Sequence, residues 1–230
     1  MVQTSPQEAL LPIPPLKSGD RLARYEFEHR YQAMPQLKKA ELIEGIVYMP
    51  AALRFKSHGQ PHARIMAWLV VYETATPGVE VGDNPTVRLD LNNEPQPDAV
   101  LLISEQAGGQ SRLSEDDYLE GAPELIVEIA ASSVAIDLHD KKRAYQRNGV
   151  QEYLVWQVHD QKLEWFYLQA GEYHSLSTDN NGVMRSQFFP GLWLAADDLL
   201  TGNMARVLAV LQEGLASPEH TVFVQQLLQL

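Results

Sequence analysis

Residues 124–158, ELIVEIAASSVAIDLHDKKRAYQRNGVQEYLVWQV, decide the reading of this chain. ELIVEIA (124–130) is a short apolar run rich in β-branched residues, the pattern of a strand covered on both faces. DKKRAYQRNG (140–149) reads as a helix that stops at Gly149 with basic residues in its last turns, which suits a left-handed cap and the negative end of the helix dipole. EYLVWQV (152–158) is a second apolar strand. Strand, helix, strand in this order predicts a crossover unit inside a mixed sheet, so the expected fold class is α/β (α+β). One acid, Glu128, interrupts the first strand. A carboxylate buried among Ile126, Val127, Ile129 and Ala130 is costly unless a cation or hydrogen-bond donor compensates it, and an edge position facing solvent is the simplest alternative.

Working outward, KLEWFYLQ (162–169) follows EYLVWQV through His159-Asp160-Gln161 and completes a hairpin. Upstream, VEVGDNPTVRLDLNNEPQPDAVLLI (79–103) reads as three strands separated by Gly82–Pro85 and Asn92–Pro95, with Asp98 at the start of the last. HGQPHARIMAWLVVYETATPG (58–78) places Ile65, Trp68, Leu69 and Tyr72 on one face of a long helix ending at Pro77-Gly78. A shorter helix is expected between Leu22 and Gln32, and ELIEGIVYMP (41–50) looks like a hairpin or bulged strand around Gly45. Gly108–Ser111 is expected to be a mobile loop. We expect an extended N-terminal arm over residues 1–20, whose PIPP can neither pair regularly nor continue a helix, a main domain over 21–196, and helices over 197–230 that dock on the core or on a second subunit.

Composition narrows the chemistry. The chain has no cysteine, so any metal must be held by oxygen or histidine, which favours Mg²⁺ or Mn²⁺. A net charge of −12 opposes general affinity for nucleic acid, which then has to rest on local basic residues such as Arg54, Lys56, Arg64, Lys141, Lys142, Arg143 and Arg147. No apolar run approaches the roughly 20 residues that span a bilayer, and no signal peptide is recognisable at the N-terminus; a cytoplasmic location with no membrane partner is expected.

Asp98 at one strand end, Glu128 in another strand and Lys141 or Lys142 at the start of a helix form a constellation with a definite chemical use. Two carboxylates can hold a divalent cation beside a phosphodiester while a lysine orients the attacking water. Each residue also has an ordinary reading. Asp98 after Pro97 can be a turn residue, the lysines can solvate a helix face beside Asp137 and Asp140, and Asp137 can be a helix N-cap. His58 and His62, four apart on a helix, have metal-ligand spacing, but no HExxH pattern accompanies them and a satisfied surface pair is the expected reading; Tyr145 and Tyr153 read as packing residues with a polar tip.

ELIEGIVYMP, His58 ahead of the long helix, Pro97-Asp98 before AVLLI, ELIVEIA and DLHDKKRAYQRNGVQEYLVW (137–156), in this order and spacing, resemble the restriction-endonuclease-like family of the PD-(D/E)XK nuclease superfamily over residues 22–195. The resemblance implies a central mixed β-sheet flanked by helices and a metal-dependent endonuclease that hydrolyses phosphodiester bonds. Asp98 and Glu128 would be the metal ligands, Lys141, four positions before Tyr145, the catalytic lysine, and Glu41 a further acid. Two departures stand out: Ala130 occupies the position where the short superfamily motif has a lysine, moving that role to Lys141, and Ala131-Ser132 replace the usual serine and proline. The partner implied is nucleic acid, DNA first, cut by a homodimer whose two-fold symmetry suits a duplex. The alternative from another class is a noncatalytic module that keeps the nuclease fold and binds a protein.

Overall fold

A computed structural model describes residues 12–49 and 52–229; the first eleven residues of the expected arm and the end of ELIEGIVYMP at Pro50 lie outside them. Helix α1 (Arg24–Gln32) precedes a hairpin of β1 (Glu41–Ile43) and β2 (Ile46–Tyr48). Glu44 and Gly45 both take positive φ, 51° and 73°, as a tight two-residue hairpin turn demands. Helix α2 (Gln60–Ala75) leads into β3 (Val79–Asp83), the short β4 (Val87–Arg88) and β5 (Ala99–Ile103). Then follow β6 (Arg112–Leu113), β7 (Leu119–Glu120), β8 (Leu125–Ala130), helix α3 (Lys142–Asn148), β9 (Glu152–Gln157), β10 (Lys162–Gln169) and β11 (Glu172–Ser175). The chain closes with β12 (Val183–Arg185), β13 (Trp193–Ala195) and helices α4 (Ala196–Thr201), α5 (Met204–Leu215) and α6 (Pro218–Leu227).

The central sheet has the order β11-β10-β9-β8-β5-β3. Only β8 and β9 run parallel, joined through α3 as the 124–158 pattern requires; the other neighbours are antiparallel. Strand β8 is therefore central, not an edge, and all six of its residues are buried. Strand β4 leaves the main sheet and pairs in parallel with β7, so β3 and β5 are direct neighbours despite the fifteen residues between them.

Alternation along the strands divides the core in two. Leu125, Val127 and Ile129 of β8 and Ala99, Leu101 and Ile103 of β5 face α2 and the C-terminal helices. Ile126 and Ala130, with Val100 and Leu102, face the opposite layer, which includes Tyr145 of α3. The two-residue period then sends Asp98 and Glu128 to that second face. In the first layer Val207, Val210, Leu211 and Leu227 join the core around α2 and β13, so the C-terminal helices pack on the chain's own domain.

The Gly108–Ser111 segment is tied down rather than mobile. The Glu124 carboxylate accepts the amides of Ile103 at 2.9 Å and Gln110 at 3.0 Å, and Ser111 is buried. At Gly109 a Cβ would lie 1.8 Å from the Ile103 carbonyl oxygen, so the backbone approach admits glycine alone. Composition suggested flexibility; the glycines instead serve this close contact.

Candidate active site

Both turns that border the second face are wide, π-type turns: Phe55–Gly59 ahead of α2 and Ile136–Lys141 ahead of α3. Such turns displace side chains from the regular helical period. The first delivers His58 and the second delivers Asp137 and Lys141 to the ends of β5 and β8. Asp98, one residue before β5, is in register with Glu128, because Ala99 pairs with Val127 across the antiparallel ladder.

The four expected residues come together with three that the sequence did not assign to the site. Lys141 Nζ lies 2.9 Å from Glu41 Oε1, 2.9 Å from Glu128 Oε1 and 3.7 Å from Asp137 Oδ1. Tyr145 donates its hydroxyl to the same Glu128 oxygen at 2.8 Å. Asp98 accepts the Ile129 amide at 2.6 Å on Oδ2 and pairs through Oδ1 with His58 Nε2 at 3.0 Å. Glu41, Asp98, Glu128, Asp137, Lys141 and His58 are all buried, Lys141 with only 4% of its surface exposed. Glu41 also accepts the Gln96 amide, which ties β1 to the loop that carries Asp98.

The electrostatics follow from this burial. Burial alone would depress the lysine, but Glu128, Glu41 and Asp137 outweigh it and hold Lys141 well above its ordinary value, so it carries a full charge. Burial pushes Glu128 up and the Lys141 ammonium opposes it, with Asp137, Asp98 and Glu41 adding to the rise; at 2.9 Å the two form an ion pair. Asp137 is raised for the same first reason. Burial would raise Asp98 as well, yet the hydrogen bond and charge of His58 and the Ile129 amide bring it below the usual carboxylate range. Asp98 is thus held ionised by His58 and an amide, whereas Glu128 and Asp137 depend on Lys141 to offset their burial.

Three ordinary readings of the sequence give way here. Asp137 is not an N-cap: the turn is capped by Ala135 without a side-chain bond, and Asp137 is inside it, accepting Ser133 Oγ. The histidines are not a surface pair, since His58 is buried on Asp98 Oδ1 and His62 Nε2 lies 2.9 Å from the Asp98 carbonyl oxygen. One comes from the π-type turn and the other from α2, and both address one aspartate. Lys142, the neighbour of Lys141, lies 3.4 Å over the Phe166 ring instead. The expected basic patch does not form as one surface, because Arg143 pairs with Asp140 and Arg147 with Glu44 and Asp90.

Among the described residues no group of three or more His, Asp or Glu side chains is spaced, as it stands, to hold a metal ion. The donor chemistry nevertheless suits a hard divalent cation. Three carboxylates are gathered around one ammonium with Asp98 in register beside Glu128, all their donor atoms are oxygen, and Asp137 Oδ1 is buried with no hydrogen-bond partner.

A mixed sheet flanked by helices, with acids on adjacent strands and a lysine on the crossover, defines a restriction-endonuclease-like fold. A family model described as "Putative restriction endonuclease", the Uma2 family, matches residues 25–197, and the chain belongs to that family. Its fold is similar to a solved structure titled as "a putative nuclease belonging to DUF820" from Anabaena variabilis, with a TM-score of 0.57 at 13% identity over 75% of this chain and 96% of that one. No curated protein matches the chain. Among the described residues no helix is long and apolar enough to cross a membrane.

Proposed function

We propose that this chain is a divalent-metal-dependent endonuclease that hydrolyses phosphodiester bonds in nucleic acid, DNA first, and acts in the cytoplasm as a homodimer. The observation that supports the reading best is the buried gathering of Glu41, Glu128 and Asp137 around Lys141, with Asp98 buried in register beside Glu128. Asp98 and Glu128 would be the ligands of Mg²⁺ or Mn²⁺. A cation there would neutralise the phosphate and lower the pKa of a bound water. The protein's own part is to orient. His58 and the Ile129 amide fix both Asp98 oxygens, and Tyr145 fixes Glu128. Lys141, anchored by Glu41, would present its remaining hydrogen-bonding capacity to the attacking water or the scissile phosphate.

Hydrolysis of plasmid, single-stranded DNA and RNA by the purified chain tests this. Cleavage that requires Mn²⁺ or Mg²⁺ and is lost in Asp98→Ala and Glu128→Ala is the expected result; cleavage without metal, or indifferent to both substitutions, overturns it. A second reading has its own support: Lys141 already engages Glu41 and Glu128, and no ready metal-binding group exists among the described residues. In that reading the chain is a noncatalytic nuclease-fold module that binds a protein, and calorimetry with millimolar Mn²⁺ would register no binding.

A further inference from the structure

Ala52 to Lys56, which leads into and opens the turn that carries His58, is exposed at every residue. Leu53 and Phe55 are large apolar side chains with 63% and 71% of their surface in solvent. Burial of such groups is favourable, so two of them side by side on a short segment, interleaved with Arg54 and Lys56, call for an explanation. Lys56 Nζ lies 5.8 Å from the Phe55 ring centroid, leaving charge and aromatic face at one place.

Much of the basic charge of this acidic molecule is already taken up in ion pairs, and among the described residues Lys17, Arg21, Lys38 and Arg64 are cations that are not. Arg88 is held by Glu28 and Asp116, Arg112 by Glu120, Arg147 by Glu44 and Asp90, Arg185 by Asp179 and Arg206 by Glu213. Arg54 and Lys56 take part in no such pair among the described residues. Nor does Lys39, whose Nζ donates to the Gln96 carbonyl two residues from Asp98. The segment's position is fixed as well, because His58, two residues beyond Lys56, is bonded to Asp98. Exposed apolar surface and uncompensated cations thus meet at the border of the acidic site.

We propose that Leu53 and Phe55 form a stacking platform for an unpaired base of a single-stranded or locally unpaired nucleic acid, with Arg54, Lys56 and Lys39 following the backbone that leads to Asp98. Aromatic faces interleaved with cations are the surface that single strands recognise: bases stack and phosphates pair, without regard to sequence. Inside a paired duplex every base face is covered by its neighbours and only the two terminal pairs are open, so the preference is for single strands over duplex. The substrate class rests on the nuclease-type reading of the neighbouring site, while the test is one of binding and can fail or succeed apart from it.

The full-length protein is titrated, in Ca²⁺, against a fluorescein-labelled oligothymidylate and against a blunt duplex of equal length, with anisotropy as the readout. Phe55→Ala, an exposed position whose fold is checked by circular dichroism, is expected to weaken single-strand binding about five- to a hundredfold, the range of one lost base–aromatic stack, and to leave duplex binding nearly unchanged. Phe55→Trp is expected to retain it. Absence of single-strand binding by the wild-type protein, equal loss on both ligands, or no loss in Phe55→Ala overturns the proposal. So does a wild-type dimer that becomes a monomer in Phe55→Ala with single-strand affinity unchanged, since the segment is then an interface between copies. Phe55-dependent binding in a protein that hydrolyses nothing with Mn²⁺ leaves the platform standing and removes the enzyme.

Discussion

Replacing Lys141 with Met keeps most of the side-chain volume and removes the ammonium, its charge and its hydrogen bond to Glu128 together. In the wild type Nζ stands 2.9 Å from Glu41 and from Glu128 and 3.7 Å from Asp137, in a position where the lysine is 4% exposed. Screening by solvent is therefore weak, and the three acids lose their shared counter-charge at once. Breaking a buried ion pair by removing one partner costs about 3–5 kcal/mol, mostly the penalty of the charge left behind. For a chain of this size that lowers Tm by roughly 6–20 °C. Urea denaturation of Lys141→Met, Glu128→Gln and the double variant forms the assay. The double variant is expected to recover about 1–3 kcal/mol relative to the sum of the singles, because Gln removes the charge that the missing lysine had balanced. A Lys141→Met protein as stable as the wild type, or strict additivity in the double variant, would refute the account of the site as an electrostatic unit.

Other outcomes follow from single features. Burial raises the Glu152 carboxyl from 4.5 to about 7 despite bonds from Ser186 and the amides of Gln187 and Phe188, so its contribution is complete below about pH 4.5 and is lost as pH climbs through 7. Up to about 3 kcal/mol of stability should disappear over that interval, and the loss should be absent from Glu152→Gln in parallel denaturation curves. Gly149 caps α3 at φ 83° with open space where a Cβ would be, so Gly149→Ala should cost about 1–2 kcal/mol of backbone strain alone, read by thermal melting. If Arg54, Lys56 and Lys39 are the phosphate contacts, log K for a single strand should fall against log salt with a slope of about −2; a slope near −6 would require many more cations than the border of the site offers.

How far the sequence could be read depended on the range of the interaction. Glu128 was visible because it breaks an apolar strand, and Asp98 because Pro97 and the AVLLI run fix where its strand begins. The crossover through α3 followed from two apolar runs and a helical stretch that Gly149 ends. Lys141 was reached through resemblance, since only the spacing to Tyr145 separates it from Lys142, and the two have opposite fates: one is buried among carboxylates, the other lies over Phe166. Asp137 and His58 were misread because their roles come from wide turns, which leave no periodic signature, and from partners distant in sequence. Short strands such as β11, β12 and β13 were missed for a related reason, because three or four residues are too few to show a period.

The composition of the site argues that the fold does not account for it. Buried ion pairs are poor stabilisers, and apolar side chains of similar volume at their positions often serve stability as well or better. Here Tyr145 and Tyr153 stand in the same layer, with ring centroids 5.0 Å apart, and Ile126, Val155 and Phe166 fill the rest. An apolar layer that needed only to cover β8 would have no use for Glu41, Asp98, Glu128 and Asp137, nor for a lysine to offset them. The acids exceed their cations, one of them keeps a buried oxygen without a hydrogen bond, and a central strand and two π-type turns converge to hold them in place. Charge retained at such a cost, on the sheet end where Arg54, Lys56 and Lys39 are left unpaired, is what a site must have if it is to receive a positive ion and a polyanion together.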